Sequence, residues 1–301
     1  VYPLLHMDEF LNIDDFKNPL LVRKYISDAS DYEMLESLYE NKKEGSSLCL
    51  FNVTMQNHSS YDDTDYTFEN PVKLTSMTLQ PEAEQYLSLI KMSDDALKEL
   101  ITYFEKVKEP VIIVLFGDHQ PHLPDYFYKN VMGEMPDDLS QKDAMKRYQV
   151  PFMIWANYDI QAAEIPQISI NYLSTLMTET AGLKLTDYQK FLLDMYQYIP
   201  SITANGFYDR QGNLYSWDDL DEADAELQEW IKESRILQYN YLSQDSKFCT
   251  LSKDMRSKAL TILLNTKAQT ICAKPYFSCV DLKIFRIFFL WSGSRLPDDL
   301  S

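Results

Sequence analysis

Glycine is scarce in this sequence, at 7 of 301 residues. No G-x-G-x-x-G and no G-x-x-x-x-G-K-[ST] occurs, which argues against dinucleotide-binding and P-loop architectures. Positive charge is also short: 28 Lys and Arg stand against 46 Asp and Glu, a net −18 at pH 7. With no basic stripe to neutralise phosphates, nucleic acid is not an expected partner. Cysteine is rare, with Cys49 alone in the first 242 residues and Cys249, Cys272 and Cys279 after them. Their spacing matches neither a zinc site nor a disulfide framework. No run of about 18 apolar residues is present, so no segment reads as spanning a bilayer. Residues 284–291 are apolar, but the run is short and Arg286 interrupts it. Val1-Tyr2-Pro3 offers neither the basic region nor the apolar region of a signal peptide. The chain also lacks an initial Met, and reads as part of something longer.

What is present suits a folded core. Apolar residues make up 45% and aromatics 13%, with 21 tyrosines. That is enough for one large α/β domain or two smaller ones. Charge divides unevenly: residues 243–301 carry 9 Lys/Arg and 5 Asp/Glu, and the first 242 carry 19 and 41. An acidic body with a basic tail suggests two segments of different role. The expected organisation is a catalytic-domain portion over 1–200, a hairpin-helix subdomain over 201–242, and an atypical tail over 243–301.

The pattern along the chain alternates strand and helix. Residues 31–41 read as a helix capped by Ser30 or Asp31. Residues 48–55, Leu-Cys-Leu-Phe-Asn-Val-Thr-Met, read as a strand buried on both faces. Residues 81–107 carry the stripe Leu97, Leu100, Ile101, Phe104 and Val107, the mark of an amphipathic helix. Residues 111–116, Val-Ile-Ile-Val-Leu-Phe, are the strongest strand, and their unbroken β-branched run predicts the middle of a parallel sheet. A third strand is expected over 150–156 and helices over 169–181 and 186–198. A hairpin is expected over 207–217 and a last helix over 218–242. This order makes a βαβ arrangement.

Ligands in open α/β sheets bind beyond the carboxyl ends of the strands. Two strands here end in polar loops, one leading to His58 and the other to Gly117-Asp118-His119. If these strands are parallel neighbours, both loops open on one edge. Asp118 and His119 join a hard oxygen to a borderline nitrogen, a sensible half-site for a divalent metal. Ligand type alone admits manganese, magnesium or zinc. An Asp-His pair also serves as an ordinary surface-loop pair, and His58 as an ordinary loop histidine. The strand-Gly-Asp-His context favours the metal for the pair. His122 reads as structural, and His6 has no supporting context.

These motifs carry a resemblance. Phe51-Asn52-Val53-Thr54-Met55-Gln56-Asn57-His58 followed by Tyr61 resembles the strand and loop of lipoteichoic acid synthase-like sulfatases, in the alkaline phosphatase superfamily. Val111–Phe116 with Gly117-Asp118-His119-Gln120-Pro121 resembles the metal-binding strand of the same family. Residues 10–16 and 151–157 fit as well, so the match covers about residues 1–242. The resemblance implies an α/β fold with a mostly parallel central sheet flanked by helices, N-terminally truncated, with a small C-terminal α+β part. It implies Asp118 and His119 as ligands to a divalent metal, manganese in this family, and His58 as a contact to the substrate's phosphoryl group. The nucleophile and an acidic ligand are expected upstream of Val1. The implied activity is metal-dependent phosphoglycerol transfer, or sulfatase-type hydrolysis of phosphate or sulfate esters, in cell-envelope polymer synthesis. The implied substrate is an anionic phospholipid or glycerophosphate. The implied parent is anchored in a bacterial cell membrane, with this part extracellular. The alternative is a non-catalytic binding module that keeps the sheet and lacks the nucleophile.

Overall fold

A computed structural model describes residues 7–75, 80–242 and, by backbone, 286–292. The expectation of an atypical tail over 243–301 falls mostly outside the described residues. The chain divides into two compact units, residues 1–159 with 282–301, and residues 160–281.

The first unit opens with two short paired strands, β1 (Leu21–Val22) and β2 (Tyr25–Ile26). Helix α1 (Asp28–Asn41) follows at once. Its cap is Ser27, whose hydroxyl accepts from the Ser30 amide, so the helix starts earlier than the sequence predicts. Asp31, expected near the cap, lies instead in the buried face of α1. Strand β3 (Leu48–Thr54), helix α2 (Pro81–Phe104) and strand β4 (Val111–Gly117) form the expected strand-helix-strand core. Pro81 suits the first turn of α2, where its missing N–H costs nothing. Short helices α3 (Asp125–Met132) and α4 (Gln141–Lys146) lead to strand β5 (Phe152–Ala156).

The α/β class is as expected, but the neighbouring strands pair differently. Strand β9 (Arg286–Ser292) lies between β3 and β4, antiparallel to both, and the order is β3-β9-β4-β5. β4 and β5 also pair antiparallel. β3 and β4 therefore still run the same way, but they are not neighbours, and every adjacent pair in the sheet is antiparallel. β4 is buried on both faces, as its sequence predicts. Among the described residues β3 lies at the sheet edge, with Cys49 and Phe51 turned to solvent, which corrects the expectation of burial on both faces. The main core packs Tyr32 and Leu35 of α1 against Leu100 and Phe104 of α2 and Val111 and Ile113 of β4.

In the second unit, helices α5 (Ile170–Thr180) and α6 (Asp187–Tyr196) precede a three-stranded antiparallel sheet. α6 begins with a capping box between Thr186 and Gln189. The sheet comprises β6 (Ser201–Thr203), β7 (Gly206–Tyr208) and β8 (Leu214–Ser216), with the expected hairpin as its last two strands. Helix α7 (Ala225–Leu242) begins later than the predicted residue 218, after a single 3-10 turn at Leu220–Glu222. Tyr172, Phe191, Met195, Phe207 and Ile231 form this unit's core.

Candidate functional site

The site is built at the carboxyl ends of β3 and β4. β4 leaves the core at Gly117, where an added Cβ would sit 3.0 Å from the Val150 side chain. Such an approach is tighter than most side chains accept, so glycine keeps this exit close to the segment entering β5. The Gly117 amide donates to the Pro151 carbonyl at 3.1 Å and fixes that approach. The next two residues fold back on each other. Asp118 Oδ1 accepts from the His119 backbone amide at 2.8 Å, and Asp118 Oδ2 faces His119 Nε2 at 3.4 Å. His119 Nδ1 lies 2.7 Å from the Gln120 carbonyl. A carbonyl only accepts, so Nδ1 carries the proton and the neutral ring's lone pair is on Nε2, the arrangement of a ligating histidine.

That geometry fits a metal. Asp118 Oδ2 and His119 Nε2, 3.4 Å apart, are close enough for one divalent cation to be held by both. Among the described residues, no group of three or more His, Cys, Asp or Glu converges to hold an ion. The pair therefore supplies two of the ligands a bound cation would need.

The loop after β3 is shaped by one distant side chain. Arg23, in a left-handed conformation (φ 56°) between β1 and β2, extends its guanidinium beneath this loop. Nη2 donates to the Gln56 carbonyl at 2.9 Å and the His58 carbonyl at 2.6 Å, and Nη1 donates to the Ser60 carbonyl. The cation also lies 5.5 Å from the Tyr25 ring centre and 5.9 Å from that of Tyr61. Burial lowers the Arg23 pKa, opposed by Tyr25, Tyr61 and the carboxylates of Asp63 and Asp62. Tyr61 OH closes the loop by donating to the Asn57 carbonyl at 3.0 Å. Burial pushes the Tyr61 hydroxyl up, Tyr86 adds to this, and Asp118 contributes from the neighbouring loop.

His58 is buried, and its Nδ1 lies 2.6 Å from the Ser59 carbonyl and 2.9 Å from Tyr25 OH. Asn57, beside it, turns into the interior and donates from Nδ2 to Ser93 Oγ at 2.8 Å. The Ser93 hydroxyl in turn donates to Asp28 at the start of α1. Gln56 joins this network, donating to Ser93 Oγ at 3.1 Å and accepting from the Asp28 amide at 3.0 Å.

A cleft of about 240 Å³ runs between the two loops. Asn57, Asp118 and His119 line it, with Tyr86, Ile90, Asp94 and Leu97 from one face of α2. β4 and the start of β5 complete an apolar floor. The structure thus brings together Asp118 and His119, as the sequence predicts, and adds Asn57 from the second loop. His58 adjoins Asn57 but is not among the lining residues. Sequence reasoning missed Asn57, Asp94, Arg23 and Tyr25. For Asp94 a signal existed: it is a polar break in the helical series Tyr86, Ile90, Leu97. For Arg23 there was none, because its role depends on contacts far along the chain.

Residues 1–183, more than half of the chain, match the Sulfatase family model, and the chain belongs to the Sulfatase family. This agrees with the resemblance to lipoteichoic acid synthase-like sulfatases and places the chain in the alkaline phosphatase superfamily. Enzymes of this superfamily generally depend on divalent metals. Among solved structures, the fold is similar to the Streptococcus pyogenes phosphoglycerol transferase GacH in complex with sn-glycerol-1-phosphate. The TM-score is 0.54 at 18% identity, over 79% of this chain and 56% of that one. A Rhizobium meliloti (strain 1021) protein whose name assigns it to cyclic beta-1,2-glucan modification is 26% identical over 211 residues, covering 66% of this chain and 31% of its own length. The capsular polysaccharide biosynthesis protein RkpI of the same organism is 31% identical over 126 residues, covering 41% of this chain and 21% of its own length. The chain thus spans less than a third of these curated relatives.

Proposed function

We propose that this chain carries the metal-binding end of an active site for phosphoglycerol transfer, or for sulfatase-type hydrolysis of phosphate or sulfate esters. The observation that carries this reading is the Asp118–His119 pair, with Oδ2 and Nε2 at 3.4 Å on a cleft at the strand ends. Asp118 and His119 would hold a divalent cation, with manganese the family's metal. When bound, it would draw charge from a phosphoryl oxygen and make an anionic ester welcome in an acidic protein. The Gln120 carbonyl keeps the His119 proton on Nδ1, away from the cation. By the family resemblance His58 would contact the phosphoryl group, from behind Asn57 rather than from the cleft lining. With Nδ1–H held on the Ser59 carbonyl, its Nε2 can donate to a phosphoryl oxygen only as the imidazolium.

The substrate we infer is an anionic phospholipid or a glycerophosphate, used in cell-envelope polymer synthesis. The ligand of the GacH structure and the names of the two Rhizobium relatives support that reading. By the same family likeness we place the protein at a bacterial cell membrane with this part outside the cell. Among the described residues, no helix is long and apolar enough to cross a membrane. One observation favours a second reading, a non-catalytic binding module: the lack of a third ligand beside Asp118 and His119 among the described residues.

Calorimetric titration of manganese into the chain tests the proposal. Binding by the wild type, weakened at least tenfold in both Asp118→Ala and His119→Ala, is the expected result. A folded wild type that binds no divalent ion would sink it and leave the binding module.

A further inference from the structure

Two hydrogen-bond acceptors, Asn57 Oδ1 and the Asp94 carboxylate, belong to residues that line the cleft. The Ser93 hydroxyl has one proton, which faces the Asp28 carboxylate and, at 3.2 Å, the Leu89 carbonyl, both acceptors. Its lone pairs then accept from Asn57 Nδ2 at 2.8 Å and Gln56 Nε2 at 3.1 Å. The Asn57 amide therefore cannot be turned over, because its oxygen would face an oxygen that has no proton to offer. Asn57 is 3% exposed, and its Oδ1 is buried with no hydrogen-bond partner among the described residues. A buried acceptor of this kind calls for a donor from outside the protein. Asp94, next to Ser93 on α2, lines the same cleft with an exposed carboxylate. No lysine or arginine is among the described lining residues.

We propose that Asn57 and Asp94 form a hydroxyl-binding subsite, which takes the vicinal hydroxyls of a glycerol or sugar ester whose anionic end lies at Asp118–His119. The inference rests on the phosphoester reading above and extends it. An ionised phosphate offers only acceptors and is repelled by this wall, whereas hydroxyl groups donate to it. The two ends of the cleft therefore dictate which way round the ester enters.

The test is calorimetry on the full chain, saturated with manganese, with glycerol 1-phosphate, glucose 1-phosphate and methyl phosphate as ligands. At least one hydroxyl-bearing ester should bind tenfold or more tightly than methyl phosphate, a ratio suited to one hydrogen bond to a charged acceptor. Whichever of the two gains more identifies glycerol or sugar as the source of the hydroxyls. Asp94→Ala should remove the preference while still binding manganese and methyl phosphate. Asn57→Ala should do the same, and because it alters a buried network, the exposed Asp94 variant decides. Equal binding of all three esters, or a preference that survives Asp94→Ala, overturns the subsite and leaves the phosphoester reading standing. Failure of manganese and of every ester to bind overturns the phosphoester reading, and the subsite with it.

Discussion

Asp31 offers a quantitative handle on the first unit. Its carboxyl is buried in α1, and burial pushes its pKa up to about 7, with nearby Asp28 adding to the rise and the Asn52 amide opposing it. In the unfolded chain the group returns to its ordinary value of 3.8. The folded state thus holds this proton more tightly than the unfolded one. Stability from this group is fully present below pH 3.8 and is lost as pH rises through about 7. The gap between the two values sets a ceiling of about 4 kcal/mol on that loss, at about 1.36 kcal/mol per pH unit. Asp31→Asn removes the titration and keeps an oxygen that can accept from Asn52. Urea unfolding of both proteins at pH 5 and pH 8 measures the difference. The variant should gain on wild type by up to about 3 kcal/mol more at pH 8 than at pH 5. A variant that is equally destabilised at both values would show that Asp31 ionises normally in the folded protein, and the account of its burial would fall.

Two further substitutions probe the packing. Asn157 donates from Nδ2 to the carbonyls of Phe104, Val107 and Glu109 and accepts from the Val111 amide, so it ties the end of α2 to the start of β4. Asn157→Ala should cost about 2–4 kcal/mol in urea unfolding, and a loss below about 0.5 kcal/mol would mean that water replaces these bonds freely. Gly206 has φ +151°, and an added Cβ would lie 2.1 Å from the Tyr215 carbonyl oxygen. Gly206→Ala should therefore destabilise the second unit by more than about 2 kcal/mol, read as an earlier thermal loss of near-ultraviolet aromatic dichroism, and an unchanged midpoint would contradict the tight β7–β8 register.

Much of the frame was legible in the sequence because its signals are local. The unbroken apolar run of β4 reported burial on both faces, and the Gly-Asp-His that follows it reported a strand end with ligand-competent groups. Thr186, a residue suited to capping, marks the start of α6, where the structure adds the reciprocal bond from Gln189. The rest depends on distant partners. Burial of β3 could not be read, since a short apolar run looks the same at an edge as at the centre. α3 and α4 are too short for their periodicity to stand out. In the loop after β3, the sequence marked the right segment but not which polar side chain reaches the cleft. Arg23, 35 positions before His58, sets that choice by drawing alternate carbonyls inward.

The position of β9 bears on how the chain reaches its native state. Leu48 and Val111 both pair with Ser292, so the two strands that bear the site share a partner drawn from far along the chain. Pairings this remote in sequence close slowly, because the chain must lose the entropy of a very large loop before any ladder bond forms. During synthesis, α1, β3, α2 and β4 emerge long before β9 exists. Until then the facing edges of β3 and β4 are open, and the nascent chain needs shelter there from strand addition by its neighbours. Assembly of the sheet around the cleft would thus be a late event in folding, following rather than preceding the α1–α2 core.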